Sequence, residues 1–128
     1  MTMRLFRVIV PVTDIDRAAS FYSELLDQSG IRVSPGRHYF DCGGTILACY
    51  EPKADGDGAN EVWRLHRNQY LYFAVPDLGA LFERARSVGC QIDSSIATMP
   101  WGERLFYAQD PFGNPICFVD QTTAFTGQ

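Results

Sequence analysis

Val12-Thr13-Asp14-Ile15, near the start of the chain, recurs as Val75-Pro76-Asp77-Leu78 in the second half. In both copies an apolar run leads into an aspartate, which is a preferred N-cap because its carboxylate accepts from the free N–H groups of the first helical turn. A second matching pair, Gly43-Gly44-Thr45-Ile46 and Gly113-Asn114-Pro115-Ile116, precedes the last strand of each half. The chain therefore predicts two copies of one structural unit.

Each half reads as one strand, one helix and three further strands. The predicted strands lie at residues 5–12, 31–34, 37–42 and 45–51, then at 70–75, 91–98, 104–109 and 115–120. Apolar residues at helical spacing follow Asp14 and Asp77, and the two helices are expected to end near Gly30 and at Gly89. Two tandem β-α-β-β-β modules predict a single mixed α+β domain, with the helices outside and a curved sheet within.

The 128 residues suffice for a single domain spanning residues 1–128. Module one is placed at about residues 4–51, a loop at 52–66 and module two at about 67–121. The loop is rich in glycine and aspartate, and its acids are expected to be solvated surface. Its Asp55-Gly56-Asp57-Gly58 sequence lacks the later ligands of a calcium loop, so no calcium site is predicted.

Composition excludes several classes of function. The formal net charge is −4 and the 11 basic residues form no stripe, so no nucleic-acid partner is expected. No apolar run approaches the roughly 20 residues that span a bilayer. The N-terminal segment lacks the features of a signal peptide, and the 4 cysteines stand singly. We therefore expect a cytoplasmic protein with reduced thiols and no membrane association.

Three local signatures carry a resemblance to a known family. They are Asp14-x-x-x-Ala18-x-x-Phe21-Tyr22, then Phe73-x-Val75-x-Asp77-Leu78, then Pro100-Trp101-Gly102-x-Arg104-x-Phe106 leading to Asp110-Pro111-x-Gly113-Asn114. Together with the duplicated unit, they resemble the vicinal oxygen chelate superfamily of glyoxalases, bleomycin resistance proteins and extradiol dioxygenases. The likeness covers about residues 6–119 and implies that the two modules form a partly open mixed barrel. It also implies a ligand site at the mouth of this barrel, where catalytic members bind a divalent metal.

The resemblance assigns the four metal-ligand positions to Arg7, Leu47, Tyr70 and Cys117. A divalent ion needs ligands with lone pairs, but Leu47 has none and Arg7 is a permanent cation. The remaining tyrosine and cysteine do not make a plausible set for zinc, nickel, iron or manganese. The two histidines of the chain fall on none of these positions. The sequence therefore predicts no metal site and no cofactor.

Each of these residues has a functional and a structural interpretation. Arg7 could grip a carboxylate, phosphate or sulfate, or it could pair with a neighbouring acid and only fill space. Tyr70 is expected to be a pocket wall rather than a catalytic acid. Cys117 could be a nucleophile if a cation lowered its pKa, but free cysteines are usually small buried hydrophobes.

Trp101 and the strand that follows it are implied to border the cavity. The Trp101 indole could stack on a planar ligand group or could be a rim contact that closes the barrel. Phe106 and Tyr107 point to opposite faces of their strand, so only one of them can face the cavity. By the same alternation, Cys117 shares a side with Val119.

The function implied is that of a metal-free small-molecule-binding protein of the glyoxalase/bleomycin resistance type, which would sequester an antibiotic or a metabolite. The ligand-binding candidates are Arg7, Leu47, Tyr70, Trp101, Phe106, Tyr107 and Cys117. The alternative is a glyoxalase-type lyase, isomerase or dioxygenase that uses a divalent metal or a metal-free mechanism. A third class is an accessory domain that binds a partner protein. The resemblance also implies a homodimer.

Overall fold

A computed structural model describes residues 1–58 and 63–126 of the chain. The chain forms two compact units, Met1–Arg64 and Leu65–Gln128. Each unit contains its own mixed β-sheet and one α-helix. Positions 59–62 of the predicted loop lie outside the described residues.

The elements of the first unit in chain order are β1 (Arg7–Pro11), α1 (Ile15–Leu26), β2 (Ile31–Ser34), β3 (Arg37–Cys42) and β4 (Thr45–Tyr50). The strands form a four-stranded sheet in the order β1-β4-β3-β2. β1 and β4 are parallel, whereas β2 and β3, and β3 and β4, are antiparallel. A short 3₁₀ helix, Pro52–Asp55, follows where the sequence predicts loop.

The elements of the second unit are β5 (Leu71–Val75), α2 (Leu78–Val88), β6 (Gln91–Ile92), β7 (Ala97–Thr98), β8 (Arg104–Gln109) and β9 (Pro115–Asp120). This unit repeats the topology of the first, with the strand order β5-β9-β8-β6 and with β7 also paired to β8. Its first and last strands are again parallel neighbours. The predicted α+β class with two β-α-β-β-β modules is therefore confirmed.

One predicted strand, residues 91–98, is divided into β6 and β7. The chain bends between them because the N–H groups of both Asp93 and Ser94 donate to the same carbonyl, that of Tyr107. The Ser94 hydroxyl in turn accepts from the Tyr107 N–H at 2.9 Å. A side chain thus replaces a ladder hydrogen bond, and the regular pairing stops there.

The two helices begin at the aspartates that the sequence identifies. Asp14 accepts from the N–H of Arg17 at 3.1 Å, and Asp77 accepts from that of Ala80 at 3.0 Å. α2 ends at Gly89 as predicted, whereas α1 ends at Leu26, earlier than predicted. Asp27 adopts the left-handed conformation with φ 53° and so ends the helix before Gly30.

One face of each sheet packs against the helix of its own unit. In the first unit the ring of Phe40 lies 6.2 Å from that of Tyr22 on α1. In the second unit the ring of Phe106 lies 5.0 Å from that of Phe82 on α2, and 5.2 Å from that of Phe118. We call the other side of each sheet, away from its helix, the distal face.

A buried polar network closes the turn between β8 and β9. The Asp110 carboxylate accepts from the backbone N–H groups of Phe112 and Asn114 and from the Asn114 side chain, all at 2.9 Å. The Asn114 side-chain oxygen accepts from the backbone N–H of Leu65 at 2.8 Å. The motif therefore fastens the first residue of the second unit to the β8–β9 turn.

The expectation that the acids of the loop are solvated is wrong for Asp55. Its side chain is only 6% exposed and forms an ion pair with Arg37. It also accepts from the Ser34 hydroxyl at 2.8 Å. These contacts give the buried carboxylate the partners that it requires. They also connect the 3₁₀ helix to β2 and β3.

Among the described residues, no helix is long and apolar enough to cross a lipid bilayer.

Candidate functional site

The distal face of the second sheet carries three tyrosines around one thiol. Tyr72 on β5 and Tyr107 on β8 both lie directly opposite Cys117 on β9. Tyr70, just before β5, places its ring 4.9 Å from that of Tyr107 and 6.4 Å from that of Tyr72. We call Tyr70, Tyr72 and Tyr107 the tyrosine cluster. Buried Leu105, Cys117 and Val119 form the apolar floor against which Tyr70 and Tyr107 pack.

Cys117, Tyr70 and Tyr72 keep their protons at neutral pH, because the pKa of each is raised. Burial, with a smaller effect of the nearby Glu103 carboxylate, raises the pKa of the Cys117 thiol to about 12. Burial and the neighbouring Cys117 and Tyr107 raise the pKa of Tyr72 to about 12, and burial also raises the pKa of Tyr70. The thiolate is the nucleophilic form of cysteine, so Cys117 is a poor nucleophile near pH 7. The tyrosines offer neutral hydroxyl donors and aromatic surface.

The raised pKa of Cys117 makes a prediction about alkaline pH. Below about pH 9 the thiol is protonated in both the folded and the unfolded chain, so its contribution to stability is constant. Between about pH 9 and 12 the unfolded chain releases the proton first, and the free energy of unfolding should fall by about 1.4 kcal/mol per pH unit from this group. Urea unfolding at several pH values should show a shallower fall for Cys117→Ala. Parallel curves would contradict the assignment.

Phe106 and Tyr107 lie on different faces of β8. Phe106 is fully buried on the helix side, between Phe82 and Phe118. Tyr107 is half-buried on the distal face. Of the two alternatives that the sequence leaves open, Phe106 therefore belongs to the core beneath α2.

Trp101 lies before β8 with its side chain exposed. The residue is 59% exposed, and its indole N–H donates to a carboxylate oxygen of Glu103 at 2.8 Å. The other carboxylate oxygen of Glu103 accepts from the backbone N–H of Phe125 at 2.9 Å. Glu103 is not among the residues predicted from the sequence. It directly precedes β8, and alternation continued back from Tyr107 and Leu105 places it on the distal side. The surroundings of the Trp101 side chain thus include a negative charge.

Arg7 lies at the start of β1, on the distal face of the first sheet. Its guanidinium carbon is 5.1 Å from the ring centroid of Phe6 and 5.1 Å from that of Tyr39. Within residues 1–58 and 63–126, no ion pair joins Arg7 to an acidic side chain. The acid partner of the structural interpretation is therefore not observed in this part of the chain, and aromatic rings flank the exposed cation instead.

The assignment of Leu47 to the ligand positions is wrong, because its side chain does not share a face with that of Arg7. Leu47 lies opposite Val8 and Phe40, is only 4% exposed and faces α1. The glycines used to align the two halves lie in turns of different length: Cys42 pairs with Thr45, whereas Gln109 pairs with Pro115. Leu47 and Cys117 are both four residues after a turn glycine, but because the turns differ in length they are not equivalent. The position in β4 that is equivalent to Cys117 lies one residue further along the chain. Ala48, which lies opposite Ile9 and Tyr39, occupies the distal face at this point.

The corrected set of four positions is Arg7, Ala48, Tyr70 and Cys117, and it does not fit a divalent metal. Arginine is cationic, alanine has no donor atom, and the phenol and thiol are both protonated at neutral pH. In the described part of the chain, no group of three or more His, Cys, Asp or Glu side chains could hold a metal ion. His38 instead contacts the Ser29 carbonyl at 2.9 Å through its Nε2.

Comparison with known proteins agrees with this fold. The family model described as "Glyoxalase/Bleomycin resistance protein/Dioxygenase superfamily" matches residues 4–118. No curated protein matches the chain significantly.

Several solved structures resemble the chain over nearly its full length. A glyoxalase-related enzyme from Fulvimarina pelagi is 18% identical, with a TM-score of 0.74 over 93% of this chain and 88% of the other. A lactoylglutathione lyase from Agrobacterium tumefaciens is 19% identical, with a TM-score of 0.71 over 95% and 96%. A protein of unknown function from Agrobacterium tumefaciens str. C58 is 26% identical, with a TM-score of 0.74 over 94% and 95%. The first two of these structures, at 18% and 19% identity, show only that the fold is shared.

Proposed function

This chain belongs to the Glyoxalase/Bleomycin resistance protein/Dioxygenase superfamily, and from that premise we propose that it binds a small organic molecule without a metal. The observation that carries the proposal is the set of residues at the four expected ligand positions. A cation, a methyl group, a protonated phenol and a protonated thiol can contact an organic ligand, but together they do not suit a divalent ion. Sequestration of an antibiotic or a metabolite is the activity that this chemistry supports best.

The distal face of each unit has its own chemistry for binding an organic molecule. In the first unit the exposed guanidinium of Arg7 can form paired hydrogen bonds to a carboxylate, phosphate or sulfate. In the second unit the tyrosine cluster provides neutral donors and ring faces, which suit a flat ligand with hydrogen-bond acceptors. Arg7 and the tyrosine cluster are thus the proposed ligand-binding groups, and Trp101, which contacts Glu103, is a further one in the second unit.

A thermal-shift screen tests this proposal directly. Purified protein would be heated with thiol conjugates, aromatic acids and glycopeptide-type antibiotics, each with and without Mn²⁺, Ni²⁺ and Zn²⁺. A ligand at about 100 times its dissociation constant should stabilise the folded state by about 2.7 kcal/mol, which raises the melting temperature by several degrees. We expect at least one organic ligand to do so and the metals to add nothing. Metal analysis of protein purified without chelator is the control.

The alternative function is that of a glyoxalase-type lyase, isomerase or dioxygenase. Two of the similar structures are described as enzymes, a lactoylglutathione lyase and a glyoxalase-related enzyme. A stoichiometric divalent ion that copurifies with the protein would contradict the metal-free proposal and favour this alternative.

We further propose that the protein is a cytoplasmic homodimer. The exposed Ile31 and Val33 on the edge strand β2 would suit a subunit contact, which a solution mass measurement would detect.

A further inference from the structure

We infer that Glu103 is a positioning residue that joins Trp101 to the C-terminal segment, residues 121–126, and so presents the indole face to an aromatic ligand group that carries no negative charge. The inference rests on the proposed function, since it names a chemical property of the ligand that the second unit would bind. Glu103 falls on an unspecified position of the third signature, between Gly102 and Arg104, and Phe125 lies beyond all three signatures.

The Glu103 carboxylate uses each of its oxygens for a different segment of the chain. One oxygen accepts from the Trp101 indole at 2.8 Å and the other from the Phe125 backbone N–H at 2.9 Å. Its backbone carbonyl also accepts from the N–H of Met99 at 2.8 Å, which closes the turn that bears Trp101. A single side chain therefore connects the Trp101 turn with the end of the described chain.

The C-terminal segment is fastened to the second sheet at several further points. The Gln121 N–H donates to the Val75 carbonyl at 2.9 Å, and the Thr123 hydroxyl accepts from the Arg104 N–H at 3.0 Å. Ala124 packs against the buried floor of the distal face. Because this segment reaches the floor beneath the tyrosine cluster, it lies at the same face as the candidate ligand-binding groups.

The contact with Glu103 limits what Trp101 can offer to a ligand. An indole has one hydrogen-bond donor and no acceptor, and here the donor is occupied. What is left for a ligand is the aromatic surface of a side chain that is largely exposed. In the described ranges Glu103 has no cationic partner, so its negative charge is expected to repel an anionic group from the indole.

The positioning role can be tested by NMR on the whole protein without any ligand. The chain has only 2 tryptophans, so the two indole N–H signals are resolved, and Trp63→Phe assigns them. In Glu103→Ala the Trp101 indole N–H should shift and exchange faster with solvent, and the Phe125 amide signal should move with it. Glu103→Gln has one side-chain carbonyl acceptor and should keep one of the two contacts. Glu83→Gln, which changes an exposed acid paired with Arg86 on α2, is the matched control.

The ligand preference can be tested with two probes that share one ring system, neutral 2-naphthol and anionic 2-naphthoate at pH 7. In the unaltered protein, 2-naphthol should shift the Trp101 indole signal at a lower concentration than 2-naphthoate does. An exposed charge pair contributes about 0.2–1 kcal/mol, so the preference should be up to about fivefold. Glu103→Gln should reduce that preference toward unity, whereas Glu83→Gln should leave it unchanged. A merely structural role of Glu103 would change stability but not this ratio.

The outcomes that overturn the inference are distinct from those that overturn the proposed function. An unchanged indole signal in Glu103→Ala would show that Glu103 does not position Trp101. A Trp101 signal that responds equally to both probes, or to neither, would contradict the ligand preference even if the thermal-shift screen finds a ligand. Failure of that screen would contradict the proposed function and leave the indole shift in Glu103→Ala as an independent result.

Discussion

Replacing Asp110 by Ala should lower the free energy of unfolding by about 3 kcal/mol or more, because it leaves several buried donors without an acceptor. Asp110 is only 3% exposed, and its carboxylate accepts from Phe112 and twice from Asn114. An unpaired buried donor costs about 1–3 kcal/mol, and hydrogen bonds to a charged acceptor are at the strong end of the range.

Asn114→Ala should also be strongly destabilising, for a related reason. The fully buried Asn114 side chain donates to Asp110 and accepts from the N–H of Leu65. Because the two side chains form one network, the double variant should lose less than the sum of the two single losses.

Urea unfolding of the three variants measures these effects. Asp77→Ala is the matched control, since it removes an aspartate whose side chain makes one exposed hydrogen bond at the start of α2. Loss of such an N-cap is expected to cost about 1 kcal/mol. Equal losses for Asp77→Ala and Asp110→Ala would show that the buried network contributes no more than an ordinary helix cap.

Replacing Arg7 by Gln should weaken the binding of an aromatic carboxylate from the screen by about 10- to 100-fold. Hydrogen bonds to charged groups contribute about 1.5–3 kcal/mol, and each 1.4 kcal/mol is a factor of ten in affinity. Arg7→Lys keeps the charge but not the paired, planar donors, so it should recover only part of the affinity. Isothermal titration calorimetry of each variant gives the comparison.

Arg32→Gln is the control for Arg7→Gln, because it removes an arginine of the same unit that already pairs with Asp16 at 2.8 Å. Its effect on the carboxylate affinity should be small, while the melting temperatures of both variants should stay near that of the unaltered protein. If Arg7→Gln binds the carboxylate as tightly as Arg32→Gln does, the anion-binding role of Arg7 is wrong, and Arg7 serves only to pack against Phe6 and Tyr39.

The fold could be predicted from the sequence wherever a pattern repeats within a few residues. The aspartate caps and the apolar stripes place α1 and α2, since local hydrogen bonds and helical periodicity decide where a helix begins and which face it buries. The sequence predicts one continuous strand at residues 91–98, but the structure interrupts it. The interruption depends on Ser94, whose hydroxyl contacts a residue 13 positions away. Such a contact leaves no local pattern.

The candidate site was less predictable, because it depends on register and on segments distant in the sequence. A displacement of one residue in a strand moves every side chain to the other face, and this placed Leu47 rather than Ala48 beside Arg7. The contact between Glu103 and Phe125 joins residues 22 positions apart, outside any repeated segment. Alternation along β8 assigned opposite faces to Phe106 and Tyr107, but the position of α2 was needed to tell which face is buried.

The burial of the thiols has a practical consequence for spectroscopy. Cys49 and Cys117 are fully buried, and burial raises the pKa of Cys42 as well as that of Cys90, the latter to about 12. Maleimide reagents react with accessible thiolates. Cys49 and Cys117 are shielded by burial, and the raised pKa values of Cys42 and Cys90 leave little thiolate near neutral pH. A cysteine introduced at an exposed position should therefore take up a fluorophore or spin label selectively, without removal of the native thiols.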